Sequence, residues 1–238
     1  MSGHSKWHSI KHKKGANDAK RGKIFTKHAR LIMLAAKTGA DPDKNAQLRS
    51  AIDSARAENV PNDNIQRAVA KGSGEGSDKP MYEITYEAYG PNGVAILIEA
   101  ITDNKNRTIA SVRTLLNKNG GSLGESGSVA YMFKLQGVVN GIGDILNEDL
   151  QMQMLDNGLI DIDTEDNDFV IFTDPGKAIV IKEILENHNI SVESAKTTQV
   201  AENTLTIEDQ AVANKISNLV DKLEEDDDVV EVHTNCEY

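Results

Sequence analysis

A chain of 238 residues with 39 % hydrophobic, 26 % charged and only 4 % aromatic side chains reads as two or three small globular domains, with cores of Ile, Leu, Val and Ala. The net charge of −11 argues against a nucleic-acid binder until its distribution is read: residues 1–40 hold ten Lys and Arg against one acid, Asp18, a net +9, whereas residues 41–238 hold 16 basic and 36 acidic groups, a net −20. The acidic remainder would repel a phosphate backbone, so only the basic head can be presented to one.

A single cysteine, Cys236, excludes an intrachain disulfide framework and fits a reducing compartment. No apolar leader follows Met1 and no run of about 18 apolar residues occurs, so the expectation is a cytoplasmic protein without membrane partners. The sequon at Asn106-Arg107-Thr108 is then incidental.

In chain order, residues 2–16 are polar and basic without a sustained period, which predicts an arm. Asn17 can cap a helix over Asp18–Thr38, with Ile24, Phe25, His28, Leu31, Ile32 and Ala35 on its apolar face. Lys20, Lys23, Lys27, Arg30 and Lys37 form a neighbouring stripe, and Gly39 ends the helix. A second helix over Asn45–Asn59 turns Leu48, Ile52 and Ala55 inward. Pro61 then opens a third, running to about Ala70, with Ile65, Ala68 and Val69 inward, and the three make a small bundle. Gly72–Asp78 is a linker by composition; with no preceding strand and no closing Gly-Lys-Ser/Thr it fails as a phosphate loop.

Beyond it the period changes to two. Tyr82, Ile84 and Tyr86 predict a strand, Gly90–Gly93 a turn, and Val94–Ile101 the return strand. A helix over Arg107–Lys118, a glycine-rich flexible loop from Gly120 to Ser128 and a strand over Val129–Leu135 follow. The pieces Gly137–Asn140, Asn147–Asn157, Leu159–Asp163, Asp168–Phe172, Pro175–His188 and Ile190–Thr198 have the ferredoxin-like order of strand, helix, strand, strand, helix, strand. A last helix, Glu208–Leu223, and strand, Val229–His233, would complete the half-built unit before them. The predicted class is α+β: an N-terminal three-helix domain (1–76, with arm and linker), then two α/β, ferredoxin-like domains. The third (136–204) is inserted in the second (77–135 with 205–238).

The candidate binding residues are Lys6, Trp7, Lys11, Lys13, Lys14, Lys20, Arg21, Lys23, Lys27 and Arg30. Closely spaced cations track phosphates, and Trp7 can stack on a base. His4, His8 and His12 would share a helix face, but the lysines between them oppose a metal, so they are read as added positive charge. In Asp103–Thr108 two readings stand: Asn and Thr as helix caps, or Lys105 and Arg107 as a second anion contact. The acidic run Glu224–Asp228 reads as a solvated turn in preference to a metal site. Glu99 and Asp103 are too generic to be catalytic, and no catalytic, metal, cofactor or small-molecule constellation can be assembled.

The segments Gly3-His4-Ser5-Lys6-Trp7, Ile10-Lys11 and Asp18–Lys27 resemble the opening of the YebC/PmpR family. So do Tyr89-Gly90-Pro91 with Gly93-Val94-Ala95, Thr102-Asp103-Asn104 with Asn106-Arg107-Thr108, and Gly120-Gly121 through Ser128–Phe133. The resemblance implies a helical domain and two α/β domains. It also implies a regulator of gene expression: DNA-binding transcriptional regulators on one description, translational activators or ribosome-associated factors that relieve stalling at proline runs on another. Ala100 stands where many members carry Cys, which argues against a thiol mechanism there. The expected partner is therefore DNA or ribosomal RNA, with the oligomeric state open; an enzyme built on the α/β loops is the third reading.

Overall fold

A computed structural model describes residues 19–74, 80–145 and 147–237, with backbone only at 19–21. They form two compact units: the described residues up to 129 together with 211–232, and 130–210 together with 233–237.

The first unit begins with α1 (Ala19–Ala36), α2 (Ala46–Ala57) and α3 (Asn62–Gly72). Their apolar faces meet in one cluster of Ile32, Ala35, Leu48, Ile52, Ala55, Ile65 and Ala68, as the 3.6-residue period predicts. Asn45 closes two helices at once. Its Oδ1 accepts from the Leu48 N–H (3.1 Å), capping α2, while its Nδ2 donates to the Ala35 and Gly39 carbonyls (2.8 Å each), sealing the end of α1. Asn59, at φ +59°, ends α2, with the Val60 N–H returning to the Ala55 carbonyl. Gly72 is a packing residue rather than the first residue of a linker: a Cβ there would stand 2.4 Å from the Met33 carbonyl oxygen.

β1 (Tyr82–Tyr89) and β2 (Ala95–Thr102) form an antiparallel hairpin with Tyr82 opposite Thr102 and Tyr89 opposite Ala95. Its turn is a 3-10 segment, Pro91–Gly93, with Asn92 and Gly93 at positive φ. β2 is buried along both faces, which suits its run Ala95-Ile96-Leu97-Ile98. α4 (Lys105–Lys118) follows, then the short β3 (Ser122–Leu123). The glycine-rich loop after it, expected to be flexible, is pinned. The buried Glu87 accepts from the Gly127 N–H (2.5 Å) and the Val129 N–H (2.6 Å), and the Tyr89 hydroxyl donates to the Ser128 carbonyl (2.9 Å). Strand β1 supplies both clamps, and neither was apparent from the loop's own composition.

The second unit interrupts the first. It comprises β4 (Phe133–Ile142), α5 (Glu148–Asp156), β5 (Leu159–Glu165), β6 (Asp168–Thr173), α6 (Ala178–Asn187) and β7 (Ser191–Ala201). The sheet order β5-β6-β4-β7, with antiparallel neighbours, is ferredoxin-like. α5 and α6 bury Leu150, Met154, Ile181 and Leu185 in one core with Val139, Phe169 and Ile171 of the strands. The two strands expected at Val129–Leu135 and Gly137–Asn140 are the single β4, and Ala130–Met132 is a 3-10 turn. Gly137 does not break the strand: a Cβ there would collide with the hydroxyl of its cross-strand partner Thr173 and meet Ala178 at 3.1 Å, so the glycine marks a close approach of β6 and of the start of α6.

After the short β8 (Leu205–Thr206) come α7 (Gln210–Glu224) and β9 (Val229–Thr234), and β10 (Cys236–Glu237) pairs in parallel with β8. The first unit's sheet thereby reaches the order β3-β1-β2-β9. α4 and α7 are adjacent, since Lys222 Nζ donates to Asn119 Oδ1 at 3.0 Å. No helix among the described residues is long and apolar enough to cross a membrane.

Candidate nucleic-acid interface

The basic stripe of α1 leads to this site. Lys6, Trp7, Lys11, Lys13 and Lys14 lie outside the described residues, as do His4, His8 and His12. Lys20 and Arg21 are placed by backbone alone, in the first turn of α1. Lys23 and Lys27, one turn apart, are half-exposed, and Lys23 Nζ lies 3.9 Å from the Glu225 carboxylate.

Arg30 differs from the rest of the stripe. Its side chain is 15 % exposed; Nη1 donates to the Ile101 carbonyl (2.6 Å) and Nη2 sits 2.6 Å from Asp228. The buried Asp228 gathers more than this one partner. Arg107 donates to it through Nη2 (2.7 Å) and Nε (3.2 Å), and Thr108 through its hydroxyl (2.7 Å). Arg107 also pairs with Asp103 at 2.9 Å. The position of Arg107 follows from the local sequence. Asn104 Oδ1 caps α4 by accepting from the Arg107 N–H (3.1 Å), which sets the side chain on the helix's first turn, facing the turn from α7 to β9. Burial alone would push the Asp228 carboxyl up. Hydrogen bonds from Thr108 and Arg107, and the charges of Arg30 and Arg107, outweigh it and hold the group below its ordinary range. The bond to Asp228 raises the Arg107 guanidinium in turn, despite burial.

The Asp103–Thr108 segment thus carries the cap expected of Asn104, while the Arg107 guanidinium is held by carboxylates. Lys105 lies with Nζ 4.3 Å from the centre of the Tyr82 ring. Asp228 corrects the reading of residues 224–228 as a wholly solvated turn: its neighbours Glu225 and Asp227 are exposed, but Asp228 is buried. Only the adjacent Val229-Val230 hints at this in sequence. Sequence reasoning also missed Arg67 and Lys71, which lie on α3 and line, with Lys23 and Arg30 of α1, a cleft of about 1130 Å³. The acidic segment Glu225–Asp228 and Asp103 line the same cleft. Cys236 is buried, and burial pushes its thiol up to about 12, Glu237 adding to the effect, so it is no nucleophile near neutral pH.

Residues 5–75 match the family model described as the TACO1/YebC protein N-terminal domain, and residues 81–236 match that of the TACO1/YebC second and third domain. The chain belongs to the TACO1/YebC family. A relative from Treponema denticola named "Probable transcriptional regulatory protein" is 47 % identical over 239 residues, covering 100 % of this chain and 96 % of its own. One of the same name from Syntrophomonas wolfei is 45 % identical over 240 residues, covering 99 % and 96 %. Among solved structures, the crystal structure of a conserved hypothetical protein from Aquifex aeolicus superposes with a TM-score of 0.80 at 39 % identity, over 96 % of this chain and 95 % of that one. The likeness to these relatives thus runs along nearly the whole chain.

Proposed function

We propose that this TACO1/YebC protein is a non-enzymatic, cytoplasmic regulator of gene expression: a DNA-binding transcriptional regulator that captures phosphate through its basic arm and α1. The observation that carries the reading is the opposition of a +9 head to a −20 remainder, which concentrates the attraction for a polyanion at the head. The names of its relatives, probable transcriptional regulatory proteins, agree with it. Lys6, Lys11, Lys13, Lys14, Lys20, Arg21, Lys23 and Lys27 supply the charge, and Trp7 a stacking surface. Lys105 and the exposed half of Arg107 are secondary contacts in this scheme, while Arg30 supports the helix that presents the others.

The test is a gel shift across salt concentrations. Reversing Lys11, Lys13 and Lys14 to Glu abolishes the shifted band, and single alanine changes at Lys23 or Lys27 each flatten the salt dependence by roughly one phosphate contact. Unchanged affinity in the triple variant removes the head as the site. The acidic remainder favours a second reading, a factor docked on the ribosome, because it complements basic ribosomal proteins. Ultraviolet crosslinking in cells separates the two: promoter DNA supports the first reading, and a few ribosomal RNA positions support the second.

A further inference from the structure

Arg67 and Lys71 stand one turn apart on α3, exposed, and line the same cleft as Lys23. Cationic surface therefore continues from α1 onto a second helix outside the basic head. The turn from α7 to β9 lines the same cleft with four consecutive carboxylates, Glu225 to Asp228, two of which already sit on α1 cations: Glu225 on Lys23 at 3.9 Å and Asp228 on Arg30 at 2.6 Å. The four are not equivalent. Asp228 is the buried anchor, and Asp226 shapes the turn, accepting from the Asp228 N–H at 2.9 Å and from the Ser111 hydroxyl. Glu225 and Asp227 are exposed, and what they bring to the cleft is charge.

We infer that the nucleic-acid surface extends from α1 across this cleft to Arg67 and Lys71, and that Glu225 and Asp227 occupy it electrostatically in the free protein as stand-ins for phosphate. The inference rests on the nucleic-acid reading above. An exposed pair such as Lys23 with Glu225 is held weakly, so a phosphate can displace it. Until displaced, each carboxylate within a Debye length of about 10 Å opposes the incoming anion, and salt screens that opposition. The turn is then a built-in competitor whose effect is greatest at low ionic strength, and Asp228 stays in place while its neighbours are displaced.

The experiment uses the full chain and two fluorescent probes, a short DNA duplex and a single-stranded RNA of the same sequence, followed by anisotropy. Glu225→Gln with Asp227→Asn should tighten binding of at least one probe roughly fivefold at about 50 mM salt, with the gain falling below about twofold by 200 mM. Asp156→Asn with Glu183→Gln, exposed positions on α5 and α6, removes the same net charge elsewhere and should change affinity less than about twofold. Adding Arg67→Ala and Lys71→Ala to the cleft pair should abolish the gain. Equal tightening in both double variants, no tightening, or a gain that survives loss of Arg67 and Lys71 overturns the inference while leaving the head's role intact. Binding by the cleft variant alone supports it in its strongest form. Failure of every form of the protein to bind either probe removes the nucleic-acid reading and this inference together.

Discussion

Asp228 to Ala would leave Arg30, at 15 % side-chain exposure, facing a void where its counter-charge was. Arg107 loses the same partner but is half-exposed and can turn to water or to Asp103. Breaking a buried pair costs roughly 3–5 kcal/mol, and the partial exposure of Arg107 argues for the lower end, about 3 kcal/mol, measurable as a lower urea midpoint. The pH dependence has a definite sign. The folded Asp228 carboxyl lies below its unfolded value, near 3.8, so its contribution is fully present above that value and is lost as pH falls below about 4 through the folded value. Asp228→Asn should therefore flatten the acid limb of the stability profile, and an unchanged limb would assign acid unfolding to other carboxylates. The partners of Asp228 were not legible locally, because it stands in a run of five acids and Arg107 is 121 positions away.

At the level of elements, local signals and tertiary contacts divide cleanly. Periodicity placed α1 to α3, and Pro61 marked the start of α3, because these signals act on the backbone within a few residues of themselves; the cap expected of Asn17 lies outside the described residues. Gly72 shows the opposite case. Its composition suggests a linker, yet it ends α3 against the Met33 backbone. Gly72→Ala would raise helix propensity by about 1 kcal/mol but must push the helices apart. The net expectation is a loss of roughly 1–2 kcal/mol, read from thermal unfolding; a stabilised variant would show that α1 and α3 can separate freely. The loop before the second unit makes the same point through hydrogen bonds. Removing the Glu87 carboxylate as Glu87→Ala should accelerate amide exchange at Gly127 and Val129 by at least tenfold, with β2 amides unchanged. The glycines announce a loop, but the residue that orders it lies on a strand 40 positions earlier.

Over the whole molecule, the alternation of periods from 3.6 to 2 exposed the α+β class, and the order of elements from β4 to β7 exposed the ferredoxin-like unit and its interruption of the first. Binding by the head should weaken steeply with salt, by roughly 10³-fold or more between 50 and 200 mM if six or more phosphates are engaged; a shallow slope would confine the contact to a few cations. The segregation of charge, the helix caps and the hydrophobic periods are properties of neighbouring residues, so the sequence by itself determined the class, the basic head and most element positions. Which cations remain available was decided only by the tertiary structure. Whether Arg30 meets phosphate or Asp228, whether Arg67 and Lys71 join Lys23, and which acid of a run is buried all depend on chain segments brought together across the fold, and no local pattern encodes the distance between them.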